Sequence, residues 1–90
     1  MIKIYFISTE GCSACEYFIE RLVQVIINIK YRIDLQIGDF RSYPKEFIEY
    51  HNITDYPTTI ISKDGKVVNT IVGIISYDKL KTLLTELFVE

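Results

Sequence analysis

Both cysteines of this 90-residue chain lie in the short segment GCSAC, with two residues between Cys12 and Cys15. Thiols at this spacing can form a structural disulfide, supply half of a tetrahedral zinc site, or cycle between dithiol and disulfide to carry electrons. The choice among these chemistries depends on the element of secondary structure that carries the two sulfur atoms and on the compartment in which the chain works.

The segments around the cysteines predict a strand, a long helix and a second strand. Residues 2–7 are a β-branched and aromatic run with apolar side chains on both alternating faces, which is typical of a strand covered on both sides. Residues 32–37 alternate between polar and apolar side chains and predict a strand with one wetter face. Between them, residues 12–30 have apolar side chains at helical spacing, in one stripe of Phe18, Leu22, Val25, Ile26 and Ile29 and an adjoining stripe of Ile19, Val23 and Ile27.

A short helix is predicted after this βαβ unit. The unit itself requires parallel strands and a right-handed crossover. In residues 42–53, Pro44 suits the first turn of a helix, where a missing N–H costs nothing. Phe47, Ile48 and Tyr50 supply its apolar side.

The last part of the chain predicts a β-hairpin and a closing helix. Two β-rich runs flank Asp64-Gly65, whose residue types favour a type I′ turn. Residues 76–90 predict a helix with Ser76 as its N-cap. Its apolar stripe is assigned to the core and consists of Leu80, Leu83, Leu84, Leu87 and Phe88.

Length and composition predict a single domain, residues 1–90, with enough apolar material for a core, since 49% of the residues are hydrophobic. Lys and Arg (10) nearly balance Asp and Glu (12) and form no basic patch, so we expect no nucleic-acid partner. No apolar run approaches the roughly 20 residues that span a bilayer, which predicts no membrane association. The N-terminal segment lacks the pattern of a signal peptide and favours a cytoplasmic location, where permanent disulfides are rare.

A helix that begins near Cys12 would make the two thiols unequal. The positive end of the helix dipole and the free N–H groups favour a thiolate at Cys12, and Gly11 leaves that sulfur open to a partner. Cys15 lies one turn further in, with Cβ atoms roughly 5–6 Å apart, so disulfide closure requires a small local adjustment. The expected roles are therefore attack by Cys12 and resolution by Cys15.

Polar side chains near the pair act in opposite directions. The Ser13 hydroxyl could donate to the Cys12 sulfur. Glu10 and Glu16 are close in sequence, and their negative charge would raise the thiol pKa and oppose the helix dipole. The sequence does not decide which effect is larger.

Three features of the chain resemble the thioredoxin/glutaredoxin superfamily, and together they cover nearly its full length. They are GCSAC, TDYPTTII with Pro57 at the start of the third strand, and Gly73 in TIVGIIS at the end of the last strand. The resemblance implies an α/β thioredoxin-like fold of order β-α-β-α-β-β-α, with a four-stranded mixed sheet in the order 2-1-3-4 and helices on both faces. It also implies a cis Tyr56–Pro57 bond, a Tyr56 that faces the cysteines, and a substrate-binding set of Gly11, Ser13, Ala14, Tyr56, Pro57 and Gly73.

The chain departs from both branches of this superfamily. Gly11 stands where thioredoxins have Trp, and Ser13-Ala14 replaces their Gly-Pro. Phe6 stands where the thioredoxin motif has a buried Asp, so the proton of Cys15 would pass to water or to Glu16. Glutaredoxins hold glutathione with a Gly-Gly-Asp segment, which residues 73–76 lack.

The function that the resemblance implies is that of a cytoplasmic thiol–disulfide oxidoreductase that reduces protein disulfides. It would bind no cofactor and would rely on the Cys12–Cys15 pair alone. Its partners would be disulfide-containing proteins, with a thioredoxin-reductase-type enzyme or glutathione as the electron donor. We expect a monomer.

Two alternatives remain open at this point. The chain could be a glutathione-dependent glutaredoxin, or a binding module that has lost turnover or bridges a metal between two chains. A zinc site within one chain is disfavoured, because it would need His51, the only histidine, and a carboxylate beside the two thiols. We therefore predict no metal and regard His51 as a residue at a helix end.

Overall fold

The computed structural model describes residues 1–89, and the last position of the predicted closing helix lies outside them. The predicted order β-α-β-α-β-β-α is confirmed, with a one-turn 3-10 helix added between β2 and α2, which we call the 3-10 turn. The elements are β1 (Ile2–Ser8), α1 (Ser13–Ile29), β2 (Ile33–Asp39), the 3-10 turn (Phe40–Ser42), α2 (Lys45–Tyr50), β3 (Thr58–Lys63), β4 (Lys66–Val72) and α3 (Tyr77–Glu86).

The four strands form one mixed sheet in the order β2-β1-β3-β4, as predicted. β1 is parallel to β2, in a register that runs from Ile2 opposite Ile33 to Ser8 opposite Asp39. β3 is antiparallel to both β1 and β4. β1, the strand before the cysteines, is therefore central. Its C-terminal end lies beside the C-terminal end of β2.

The hairpin between β3 and β4 turns at Asp64 and Gly65. Both residues have positive φ, 52° and 85°, which a type I′ turn requires and which glycine adopts without steric cost. The predicted hairpin is confirmed. The register shifts between Ile61 and Ser62, where β4 has an extra residue.

β1 contributes to a core on each face of the sheet, because its successive side chains point to opposite faces. On one face, Ile4 and Phe6 pack with buried residues of α1 and α3, namely Phe18, Leu22, Val25, Leu80 and Leu84. On the other face, Ile7 packs with Tyr43, Ile53 and Ile60 and with the partly buried Phe47 and Ile48 of α2. The predicted placement of helices on both faces is confirmed.

Two apolar side chains assigned to helix faces by their spacing are exposed instead. Ile27 is 68% exposed, because it lies about 200° around α1 from Val25, which points into the core. Tyr50 is 81% exposed, because it lies about 200° around α2 from Ile48, which packs on the sheet. The second stripe of α1 and the apolar side of α2 are therefore narrower than predicted.

The helix ends show how the sequence sets their limits. Ser76 is the N-cap of α3, as predicted, and its hydroxyl accepts a hydrogen bond from the Lys79 N–H at 3.1 Å. Pro44 is the N-cap of α2 and not part of its first turn, since its ψ of 141° is extended.

No helix among residues 1–89 combines the length and the apolar character that crossing a bilayer requires.

Tyr43 joins the 3-10 turn to the sheet. Its hydroxyl lies 3.1 Å from the carbonyl oxygens of both Phe6 and Gln36 and donates to this pair, which belongs to β1 and β2. Its ring is buried, and burial, with a smaller contribution from Tyr5, raises the pKa of Tyr43 to about 12.

We expect Tyr43→Phe to change the pH dependence of stability. The unfolded chain loses the tyrosine proton near pH 10, but the folded chain loses it only near a pKa of about 12. The stability from neutral Tyr43 is therefore complete below about pH 10 and declines as the pH rises through the folded pKa. At neutral pH the loss of the hydroxyl should cost about 1 kcal/mol.

Urea unfolding at increasing alkaline pH measures this effect. The free energy of unfolding should fall less steeply in Tyr43→Phe than in the parent chain. The matched control is Tyr50→Phe, which removes a hydroxyl from a ring that is 81% exposed and should keep the parent slope. Equal slopes in all three proteins would contradict the burial effect.

Candidate active site

The turn between β1 and α1 brings the first cysteine to the helix start. Gly11 has φ +69°, in the left-handed region that favours glycine. A Cβ built on Gly11 would have nothing within 4 Å. The backbone conformation, and not a lack of space, therefore accounts for glycine before Cys12.

Cys12 is the N-cap of α1. Its backbone is extended (φ −99°, ψ 97°), and its Sγ accepts a hydrogen bond from the Cys15 N–H at 3.1 Å. This position usually holds an oxygen of Ser, Thr, Asp or Asn, which satisfies a free N–H of the first turn. The predicted helix begins at Cys12, whereas the observed helix begins at Ser13. Cys12 is therefore the capping residue, and its sulfur is the capping atom. A negative charge on that sulfur would be stabilised by the N–H and by the helix dipole.

The two cysteines form a disulfide, with Cα atoms 5.2 Å apart. That separation lies within the range that disulfides adopt. Cys15 is only 4% exposed, whereas Cys12 is partly exposed, so the first sulfur is the accessible one.

A shallow groove of about 290 Å³ lies over the disulfide. Phe6 is buried beneath it and packs against Phe18, with ring centroids 6.5 Å apart. The groove is lined by Phe6, Ser8, Thr9, Glu10, Gly11, Cys12, Cys15, Glu16, Ile19 and Ile37. Glu16, one of the two predicted acceptors for the Cys15 proton, therefore lines the same groove as Cys15.

A larger depression of about 540 Å³ lies between α2 and the β3–β4 hairpin. His51 and Tyr50 line it, together with Lys66 of β4. His51 follows the last residue of α2 and packs on Phe47, with ring centroids 4.5 Å apart. Since the residues that line this depression include no cysteine, the groove over the disulfide is the candidate site.

The loop before β3 approaches the end of β4. The Tyr56–Pro57 peptide bond is cis. The Gly73 N–H donates to the Pro57 carbonyl at 2.8 Å, so these two predicted site residues are joined by a backbone hydrogen bond. Tyr56 is half-buried and packs against the cores on both faces of the sheet, one of which, on the α1 side, Cys12 also contacts.

The predicted substrate-binding residues are only partly brought together. Gly11 lines the groove with both cysteines. Among residues 1–89, the lining of the groove does not include Ser13, Ala14, Tyr56, Pro57 or Gly73. Ser13 is exposed and Ala14 is partly buried. The binding roles of these residues stay predictions.

Arg41, in the 3-10 turn, is a residue near the site that the sequence did not indicate. Its Nε and Nη2 donate to the two oxygens of Asp39 at 3.0 and 3.2 Å, and Nη2 lies 3.6 Å from Glu10 Oε2. The hydrogen bonds from the Arg41 side chain, and then from its backbone N–H, hold the pKa of the Asp39 carboxyl below its usual value. No local pattern signals this contact, because it joins the end of β2 to the turn before α1.

Within the described part of the chain, no three side chains of His, Cys, Asp or Glu lie close enough together to hold a metal ion. The two thiols, which would be the soft ligands of such a site, are joined to each other.

Comparisons with known proteins give the fold and not a sequence family. Neither a protein-family model nor a curated protein sequence matches the chain. A solved structure of thioredoxin-2, described as a component of malaria parasite protein secretion machinery, matches with a TM-score of 0.82 and 16% identity, over 96% of this chain and 82% of that one. A structure described as a malarial protein matches with a TM-score of 0.82 and 17% identity, over 99% of both chains.

Identities this low establish shared architecture only, but they do so over nearly the whole chain. The element order and the sheet order agree with the fold that the resemblance implied. This chain has the thioredoxin-like fold, with its cysteine pair at the start of the first helix.

Proposed function

We propose that the chain is a thiol–disulfide oxidoreductase in which Cys12 attacks a disulfide of a partner protein and Cys15 resolves the product. The observation that carries this proposal is the position of the Cys12 sulfur at the N-cap of α1, where it accepts the Cys15 N–H above a buried second sulfur. The thioredoxin-like fold and the disulfide between the two residues support it.

The asymmetry between the two sulfurs supports this order of events. The thiolate is the nucleophile in disulfide exchange, and a helix N-terminus lowers the pKa of a thiol. Only Cys12 has this position and is accessible, whereas Cys15 is buried as the third residue of α1. Cys15 is therefore protected from outside disulfides but lies within bonding distance of Cys12.

The reaction starts from the dithiol form. The Cys12 thiolate attacks one sulfur of the partner disulfide, the partner S–S bond breaks, and the second partner sulfur leaves as a thiolate and takes up a proton. Cys15 then loses its proton to water or to Glu16 and attacks the Cys12 sulfur of the mixed disulfide. The Cys12–Cys15 bond forms, and the bond between Cys12 and the first partner sulfur breaks. That sulfur leaves as a thiolate and takes up a proton, so two electrons have passed to the partner.

The accessibility of the first sulfur supports protein disulfides as substrates. Cys12 is partly exposed in this groove of about 290 Å³, where an exposed disulfide on a protein surface can approach its sulfur. We infer a monomer that works in the cytoplasm and receives electrons from a thioredoxin-reductase-type enzyme or from glutathione. A bound cofactor is not required, because the two thiols carry both electrons.

Exchange with a protein disulfide tests the proposal. The reduced chain is mixed with an excess of insulin, and the thiols of both proteins are counted after acid quenching. We expect each chain that becomes oxidised to leave one insulin disulfide reduced. A chain that stays in its dithiol form, with insulin intact, would contradict the proposed function.

The electron donor is found by a separate assay. The oxidised chain is incubated with a thioredoxin-reductase-type enzyme and NADPH, or with glutathione alone. Reduction in only one of these mixtures identifies the donor class.

A further inference from the structure

The 3-10 turn holds a guanidinium beside the loop that leads to Cys12. Asp39, at the end of β2, accepts from the backbone N–H of Arg41 at 2.9 Å and from its Nε and Nη2 at 3.0 and 3.2 Å. A two-point contact of this kind fixes the plane of the guanidinium as well as its position. The contact with Asp39, which does not line the groove, therefore sets the orientation of the Arg41 side chain.

The same guanidinium reaches a carboxylate of the groove. Arg41 Nη2 lies 3.6 Å from Glu10 Oε2, and Glu10 lines the groove together with Cys12. The remaining titratable groups of the groove lining are Glu16 and Cys15. Glu10 is therefore the carboxylate of this groove whose charge is countered by a fixed cation.

We propose that Arg41 is a positioning residue that keeps the Cys12 thiol acidic by pairing with Glu10. The inference rests on the proposed function, because it assigns a control over the thiol that attacks in that reaction. A negative charge near a thiol disfavours the thiolate, and a cation that pairs with the charge removes part of the penalty. Asp39 keeps the guanidinium in place for this pairing and also offsets part of its charge, so the penalty from Glu10 is removed only in part.

The effect is limited by exposure, since the side chains of Arg41 and Glu10 are 62% and 83% exposed. Pairs of this kind are weak and are screened by salt. We therefore expect Arg41→Gln to lower the rate of Cys12 alkylation near neutral pH by about two- to threefold at low ionic strength. The difference should shrink in concentrated salt.

A double-mutant cycle tests whether the effect passes through Glu10. The variants are Arg41→Gln, Glu10→Gln and the pair, each in a Cys15→Ser background so that only Cys12 reacts. Iodoacetamide serves as the probe because it is uncharged, and its rate of reaction is followed as a function of pH. We expect Arg41→Gln to move the midpoint of the alkylation profile to higher pH and Glu10→Gln to move it to lower pH. In the Glu10→Gln background, Arg41→Gln should move this midpoint little.

A substitution that keeps the positive charge separates the effect of charge from the effect of lost side-chain contacts. Arg41→Lys should recover part of the effect, because it keeps the charge but loses the two-point contact with Asp39. Equal shifts from Arg41→Gln in both backgrounds, or no shift in any variant, would overturn the proposal. If Arg41→Gln does not fold, Glu10→Gln and Arg41→Lys still decide it, since an unchanged midpoint in both would contradict the pairing.

The cycle uses no disulfide substrate, so its result is independent of turnover. If the cycle behaves as expected but the reduced chain exchanges with no protein disulfide, the oxidoreductase assignment fails and the role of Arg41 stands. If exchange occurs and the cycle shows no coupling, the role of Arg41 fails alone.

Discussion

Cys12→Ser should abolish the reduction of a protein disulfide, with a fall on the order of a thousandfold or more. The serine hydroxyl keeps the N-cap hydrogen bond but is not ionised at neutral pH and does not attack sulfur. Cys15 remains in this variant but is only 4% exposed, so an outside disulfide cannot reach it. The measurement is the initial rate of insulin reduction with a chemical reductant in excess.

The matched control is the same substitution at the other cysteine. Cys15→Ser should still attack, because Cys12 keeps its position, but it cannot resolve the product by internal attack. A mixed disulfide between Cys12 and the substrate should then accumulate and be visible by mass spectrometry under non-reducing conditions. If Cys12→Ser reduces insulin at the parent rate, or if it forms the adduct in place of Cys15→Ser, the assigned roles are wrong.

Leu22→Ala should cause a large loss of stability. Leu22 is fully buried in the core between α1, α3 and the sheet. Truncation of a buried leucine costs about 2–5 kcal/mol, because transfer energy is lost and a cavity remains. The free energy of unfolding of a small domain is only about 5–15 kcal/mol, so the variant should unfold at a much lower urea concentration than the parent.

Ile27→Ala provides the matched control on the same helix. Ile27 is 68% exposed, so the same kind of truncation should change the free energy of unfolding by less than about 0.5 kcal/mol. The free energy of unfolding of both variants and of the parent is measured in urea, with the Cys12–Cys15 disulfide formed. The slope of this free energy against urea concentration is compared among the three proteins. Similar losses in the two variants would contradict the way in which α1 is packed.

The elements with strong periodicity could be predicted from the sequence. Alternation predicted β2, runs of β-forming residues predicted the other strands, the leucine spacing predicted α3, and Asp64-Gly65 located the hairpin, because each of these signals is local. The errors fall where periodicity alone assigns a face. Ile27 and Tyr50 have apolar side chains at plausible positions, but the width of the buried face depends on the neighbouring elements, which the spacing does not contain.

The site divides in the same way. Cys12 and Cys15 could be identified because their chemistry depends on close spacing and on one helix start. The contact of Arg41 with Glu10 could not, because it needs the end of β2 and the turn before α1 to meet at one edge of the sheet. The hydrogen bonds of Tyr43 to two strands could not be predicted for the same reason.

The position of Cys12 at the N-cap is what makes the proposed chemistry possible, and alkylation of the reduced parent chain tests it most directly. Each cysteine is identified by peptide mapping, and its rate of reaction with iodoacetamide is followed with pH. We predict that Cys12 reacts first, with a pKa below the usual value of about 8.5. A Cys12 pKa at or above that value, or faster reaction at Cys15, would contradict a thiolate stabilised by the start of α1.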